Sequence, residues 1–145
     1  MRARDFTGGR EFTKYMAVVC RIVHEGGPSQ RVLDIPAGHG LVTDRLRESG
    51  LDVISADINR ARPDYVYADL SKPIPFKNEE FDTVVCLEGI EHIVDPIHVI
   101  RELCRVTKKV AGSSYRCRTS RTCTHDSNTC APVTFSSSAR AQAGT

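Results

Sequence analysis

The chain has 145 residues, of which 40% are hydrophobic and 26% charged, and its formal net charge is +2. This size and composition are typical of one globular domain rather than of a fibrous or disordered protein. No apolar run approaches the roughly 20 residues that span a bilayer, and no secretory signal is recognisable, so we expect a cytoplasmic protein without a membrane partner.

Charge and cysteine are divided unevenly along the chain. Residues 1–110 carry 16 Lys and Arg against 17 Asp and Glu, whereas residues 111–145 carry four Arg and one Asp. Neither part has a clustered basic stripe, so no nucleic-acid partner is predicted. Cys20, Cys86 and Cys104 lie in apolar stretches and are expected to be core residues rather than disulfide partners.

Helical and strand patterns alternate along the first part of the chain. Residues 11–25 have apolar side chains at helical spacing, and Gly26-Gly27 ends that helix. There follow strand RVLDI (31–35), a helix (41–49), strands DVISADI (52–58), DYVYADL (64–70) and FDTVVCLEG (81–89), and a helix (97–106) opened by Pro96. In the last helix Ile97, Ile100, Leu103 and Cys104 are predicted to face the core. The alternation predicts an α/β fold with a parallel sheet and crossover helices.

The pattern stops near residue 111. Residues 111–145 contain seven Ser, six Thr and four Arg but no Leu, Ile or Met, so we predict a disordered tail, separate from a domain at 1–110. Its Cys117, Cys123, His125 and Cys130 lack the close C-x2-4-C pair of structural zinc sites, and no metal is predicted.

The turn after the first strand predicts a ligand site. Gly38 and Gly40 follow Asp34, where a parallel sheet places its ligands, although such a turn can also serve packing alone. Asp57 ends the second strand and could accept ribose hydroxyls, or it could be a solvated strand-end carboxylate or a helix cap. Asp69 ends the third strand and could accept an adenine amine or cap a turn. Thr43 replaces the third glycine of a dinucleotide fingerprint. Carboxylates and the missing glycine favour S-adenosyl-L-methionine over NAD.

Three segments resemble the cofactor half of a class I S-adenosylmethionine-dependent methyltransferase, and the resemblance covers residues 11–110. The segments are "VLDIPAGHG", "LDVISADI" and "YADLSKPIPFKNEEFDTVVCLEGIEHIVDPIHVIREL". Within that family they are similar to the type 11-like group with an E-x-x-E-H turn. Pro36 departs from the family's first motif, where a glycine is usual. The resemblance implies a Rossmann-like sheet of strand order 3-2-1-4-5-7-6. It also implies a cofactor site lined by Asp34, Ala37, Gly38, Gly40, Asp57, Ile58, Asp69, Leu70, Leu87 and Glu88.

His92 of the E-x-x-E-H turn is the candidate general base, because the pKa of an ordinary histidine lies near neutrality. A surface histidine is the alternative, since methyl transfer depends chiefly on holding donor and acceptor in attack geometry.

The family's fifth strand is expected after RVTKKV but is not recognisable, which would leave strand TVVCL with an open edge. With suitable codons, a shifted reading frame of residues 114–119 encodes Val-Ser-Val-Pro-Asn, similar to the end of that strand. We therefore predict a truncated or frame-disrupted methyltransferase with impaired activity. The alternatives are a non-catalytic cofactor-binding remnant and an NAD-dependent oxidoreductase. The acceptor and the oligomeric state do not follow from the sequence.

Overall fold

A computed structural model describes residues 11–60 and 62–109 together with two strands at 116–119 and 133–136. The helices are α1 (Lys14–His24), α2 (Leu41–Glu48) and α3 (Pro96–Val106). The strands are β1 (Arg31–Asp34), β2 (Asp52–Asp57), β3 (Val66–Tyr67), β4 (Thr83–Cys86), β5 (Arg116–Thr119) and β6 (Val133–Ser136). A short 3-10 turn, Ile90–His92, precedes α3.

Strands β1 to β4 form the predicted parallel sheet in the order β3-β2-β1-β4. Successive strand residues point to opposite faces of the sheet, so alternate residues of each apolar strand enter different cores. Leu33 lies opposite Ile54 and Val84 and packs with α3 in one core. Val32 packs with α1 and α2 in the other. The helices thus cover both faces of the sheet, as the α/β prediction required.

The three helices begin and end close to their predicted positions. Thr13 accepts the Met16 N–H at 3.4 Å at the start of α1, and Asp95 accepts the His98 N–H at 3.0 Å at the start of α3. Pro96 occupies the first turn of α3, where its missing N–H leaves no bond unmade. The expectation that the body cysteines are core residues is confirmed for Cys20 and Cys86, which are buried, while Cys104 is half-buried and packs against the core.

The predicted inner face of α3 is wrong in part. Val99, Leu103 and Val106 are fully buried, whereas Ile97 and Ile100 are 56% and 39% exposed. This helix carries two apolar stripes, and spacing alone does not tell which one meets the sheet. The buried stripe packs with Ile54, Val66 and Val84 of the strands.

Strand β3 is shorter than predicted. Only Val66 and Tyr67 pair with β2, opposite Ala56 and Asp57. The chain then turns at Asp69, whose carbonyl accepts the Lys72 N–H at 2.9 Å. The turn formed by the sequence "DLSK" therefore ends β3 before the end of the segment whose sequence predicted a strand.

The expectation of an open β4 edge is also corrected. Strand β6 pairs antiparallel with β4, from Thr83 opposite Ser136 to Cys86 opposite Val133, and β5 pairs with β6. An unpaired edge presents a row of N–H and C=O groups, and an added strand satisfies them. The eight residues of β5 and β6 thus depart from the predicted disorder of 111–145. The rest of that prediction lies outside the described residues.

Candidate functional site

The candidate site lies where the strand order reverses. The chain runs from β1 to its neighbour β2, and later returns to the other side of β1 as β4. In open α/β sheets the crevice beyond the carboxyl ends at this point is the usual ligand position. Residues 36–40, which follow β1, form a tight turn there, with the Gly40 N–H donating to the Ala37 carbonyl at 2.8 Å.

Gly38 and Gly40 both have a left-handed backbone conformation, with φ of 53° and 81°, but their surroundings differ. A Cβ on Gly40 would lie 2.5 Å from Arg62 Nη1 and 2.6 Å from the Tyr65 hydroxyl, so a side chain here would require the ends of those two side chains to shift. A Cβ on Gly38 would meet no atom within 4 Å. Its backbone is therefore open to an approaching ligand.

Asp57 ties the end of β2 to this turn. Its Oδ2 accepts the Gly38 N–H at 2.8 Å, and its Oδ1 accepts the Asn59 N–H at 2.8 Å. The side chain is only 4% exposed, yet each carboxylate oxygen has a second lone pair for another donor. The neighbouring Ile58 is 53% exposed and presents an apolar surface beside it.

Asp34 ends β1 and is 2% exposed. The Thr43 hydroxyl donates to its Oδ2 at 2.6 Å. Burial raises the pKa of Asp34 to about 6, although the bonds from Thr43 act in the opposite direction. A carboxyl with such a pKa changes charge close to physiological pH.

Asp69 makes the bonds of a turn-capping residue. Its Oδ1 accepts the backbone N–H and the hydroxyl of Ser71 at 2.9 and 2.6 Å, and Lys72 Nζ lies 3.3 Å from its Oδ2. The Ser71 hydroxyl bond is the main cause that holds the pKa of Asp69 below its usual value. These contacts fit the alternative in which Asp69 caps a turn. The role of Asp69 in binding adenine stays a prediction. Leu70 beside it is buried.

The turn after β4 packs directly on the glycine turn. A Cβ on Gly89 would lie 2.7 Å from Pro36 Cδ and 3.3 Å from Leu70 Cδ1. Leu87 is buried, and Glu88 is exposed with φ of 53°, an uncommon backbone conformation for a residue with a side chain. The segments after β1, β3 and β4 are thus brought together.

Tyr15 of α1 contacts the site, although the sequence analysis did not predict it as a site residue. Its hydroxyl donates to the Glu88 carboxylate, 73 positions away. Burial, and then the bond to Glu88, raise the pKa of Tyr15 to about 12, so the phenol remains a donor. No local sequence signal could reveal this contact, because it depends on how α1 packs against the sheet.

His92 lies in the 3-10 turn before α3, with its side chain 49% exposed and its Nε2 3.9 Å from Glu91 Oε1. This position fits the surface alternative at least as well as a catalytic role, which stays a prediction. The side chains of the tail set Cys117, Cys123, His125 and Cys130 lie outside the described residues. Among the described residues, no helix is both long and apolar enough to cross a membrane.

A family model described as a methyltransferase domain matches residues 8–113. The chain belongs to this methyltransferase-domain family. A demethylmenaquinone methyltransferase of Renibacterium salmoninarum is 34% identical over 90 residues, which cover 56% of this chain and 38% of that protein. A ubiquinone biosynthesis O-methyltransferase of Aliivibrio fischeri is 27% identical over 93 residues, covering 54% and 40%. The chain thus spans about two fifths of the length of these relatives.

Solved structures agree with the fold. The YcgJ protein of Bacillus subtilis superposes on this methyltransferase domain with a TM-score of 0.58 at 21% identity, over 66% of this chain and 46% of that one. The observed order β3-β2-β1-β4 is the first part of the class I methyltransferase order, so the predicted fold class is confirmed.

Proposed function

We propose that this chain binds S-adenosyl-L-methionine at the turn after β1 and that methyl transfer to an acceptor is the activity it serves. Membership of the methyltransferase-domain family supports the reaction class. Gly38 carries the argument for the site, because its backbone is open on one side and its N–H is fixed by Asp57 on the other. The turn is thereby held in one shape without a side chain in front of it.

The residues present fit this cofactor better than a dinucleotide. Asp34 and Asp57 lie at the ends of adjacent strands, and carboxylates suit hydroxyls and a cationic amine rather than a pyrophosphate. Thr43 occupies the position of the third fingerprint glycine. Its hydroxyl is bonded to Asp34, and its side chain occupies space that a dinucleotide site keeps free with glycine. The backbone therefore does not offer the close approach that a pyrophosphate uses. NAD is therefore the weaker candidate.

When bound, the cofactor supplies a methyl group on a positively charged sulfur. The chain's own part is to orient: Asp57 would hold the ribose hydroxyls, Asp34 the methionine end, and Ile58 and Leu70 the apolar surfaces. His92 would accept the proton that an acceptor hydroxyl loses. Excluding water and holding the acceptor in line account for most of the rate, so we expect a small contribution from His92.

The relatives are named for different acceptors, one demethylmenaquinone and the other a substrate of ubiquinone biosynthesis. The acceptor of this chain therefore stays open, and methyl-transfer assays should include both quinone types. Binding without turnover would favour the alternative, a non-catalytic cofactor-binding remnant. A cytoplasmic location remains part of the proposal.

The predicted frame change remains a hypothesis about the coding DNA. The open β4 edge was one reason for the frame-change hypothesis, and the pairing of β6 with β4 removes that reason. The codon argument for residues 114–119 is unaffected. Sequencing the DNA that encodes residues 105–145, and finding early stop codons in the shifted frame, would reject it.

The cofactor site is tested by a pair of glycine substitutions. Gly38→Ala and Gly50→Ala each place a Cβ at positive φ, 53° and 86°, with no atom within 4 Å, so each should cost about 1 kcal/mol of stability. Gly50 lies between α2 and the start of β2, at the opposite end of the strands from the site. In calorimetric titrations we expect Gly38→Ala to lose at least tenfold in affinity for S-adenosylhomocysteine and Gly50→Ala to match the wild type. Equal affinities, or wild-type preference for NAD, would reject the proposal.

The ribose assignment has its own test. Asp57→Ala should weaken S-adenosylhomocysteine binding by about 1–3 kcal/mol, through loss of charge-assisted hydrogen bonds. Asp52→Ala is the control, because that carboxylate begins the same strand and its side chain is 65% exposed. Equal binding by both variants would show that Asp57 does not hold the ribose.

A further inference from the structure

A chain of buried polar groups runs from α2 to the end of β1. Asp34, Thr43 and Ser55 are 2%, 0% and 0% exposed. The Thr43 hydroxyl donates to Asp34 Oδ2 at 2.6 Å and lies 2.9 Å from the Ser55 hydroxyl. Arg47 Nη2 lies 3.3 Å from the same Ser55 oxygen and also donates to the Val53 carbonyl at 2.9 Å. Buried polar groups require such partners, and here each group in the chain supplies one to the next.

The Asp34 carboxylate lies at the N-terminus of α2. The N-cap of this helix is Gly40, which has no side chain to accept the first N–H groups. Thr43 lies in the first turn, and its hydroxyl donates to Asp34 Oδ2. A carboxylate at a helix N-terminus is favoured by the helix dipole. Thr43 therefore holds the β1 carboxylate at the start of α2.

We propose that Thr43 is a positioning residue of the cofactor site: its hydroxyl fixes the Asp34 carboxylate at the end of β1 and so controls how that carboxylate receives the cationic amino group of the cofactor. This inference rests on the proposed function, because it takes the amino group of that cofactor as the ligand of Asp34. It also explains why a hydroxyl residue is useful where a dinucleotide site has glycine.

The charged and titratable groups around Asp34 come from every neighbouring element. Asp57 raises its pKa and Arg47 lowers it, after the larger effects of burial and of hydrogen bonding by Thr43. Cys20 of α1, Cys86 of β4 and Tyr65 also interact with the Asp34 charge. Burial raises the pKa of Cys20 to about 11 and of Tyr65 to about 12, and that of Cys86 also lies well above neutrality, so all three stay neutral near pH 6. These three groups therefore do not titrate together with Asp34.

The test compares Thr43→Val, which removes the hydroxyl at constant shape, with Thr43→Ser, which restores it. Thr83→Val is the matched control, because the Thr83 hydroxyl is equally buried and donates to Gln30 Oε1 at 2.6 Å. Thr83 begins β4, at the end of the sheet away from the site. Each variant is measured by carbon NMR titration of the Asp34 carboxyl without ligand, and by S-adenosylhomocysteine affinity from pH 5 to 8.

In Thr43→Val the Asp34 titration and the rise of affinity with pH should both move upward by about one pH unit, since a bond to the charged form is lost. Because binding uses the charged carboxylate, affinity should fall about twofold at pH 7 and about tenfold at pH 5, while Thr43→Ser and Thr83→Val should follow the wild type. Ser55→Ala should give a smaller shift in the same direction and serves if Thr43→Val does not fold.

Two outcomes overturn the inference. One is an unchanged Asp34 titration in Thr43→Val, and the other is an affinity loss that Thr83→Val reproduces in full. Failure of the wild type to bind S-adenosylhomocysteine would instead reject the proposed function. In that case the ligand-free titration still decides whether Thr43 controls the Asp34 charge.

Discussion

The Asp34 carboxyl links the stability of this domain to pH. Its pKa rises from 3.8 to about 6 on folding, so the folded protein holds this proton more tightly than the unfolded chain. The stabilisation is complete below about pH 4 and is lost as the pH rises through about 6, at a cost of about 3 kcal/mol. The difference in free energy of unfolding between wild type and Asp34→Asn, measured by urea denaturation from pH 4 to 7, should follow this curve. A constant difference would contradict the burial of a titrating carboxyl at this position.

At the same scale, the sequence indicated which residues lie at the strand ends but not what they touch. Gly38 and Asp57 were predicted as site residues from their positions after β1 and β2, and the structure joins them by a hydrogen bond. Thr43 was noted only as the replacement of a fingerprint glycine, and Tyr15 was not predicted as a site residue. Their bonds to Asp34 and Glu88 depend on the packing of α2 and α1, which no local pattern specifies.

At the scale of elements, Asp95 caps α3 and stabilises its first turn. Asp95 accepts the His98 N–H at 3.0 Å, and the 3-10 turn that carries His92 ends just before it. Asp95→Ala should lower the free energy of unfolding by about 1 kcal/mol, whereas Asp95→Asn should be nearly neutral because asparagine is an equally good cap. Thermal denaturation measures both, and hydrogen exchange should show faster exchange at the start of α3 in Asp95→Ala alone. Equal stability of the two variants would mean that the cap contributes nothing.

The elements themselves were largely predictable, because buried strands and helical stripes leave clear periodicities. Three departures have physical causes. The α3 sequence carries two apolar stripes, and the sheet selects the one with Val99 and Val106. Asp69 ends β3 early by turn bonding. The pairing of β6 with β4 joins residues about 50 positions apart, and a Ser- and Thr-rich segment gives no local signal of it.

At the scale of the whole molecule, β6 completes the sheet and protects β4. It lies between β4 and β5, so each of its backbone N–H groups faces a neighbouring strand. Thr134 pairs with Val85 of β4 and with Arg118 of β5.

Thr134→Pro removes an N–H from this ladder, and proline is poorly accepted in a central strand. We expect a loss of about 1–3 kcal/mol of stability and an exposed β4 edge that promotes association. Thr134→Val keeps the N–H and is the matched control. Light scattering after size-exclusion chromatography should show larger species for the proline variant alone; a monodisperse proline variant with wild-type stability would mean that β4 does not need β6.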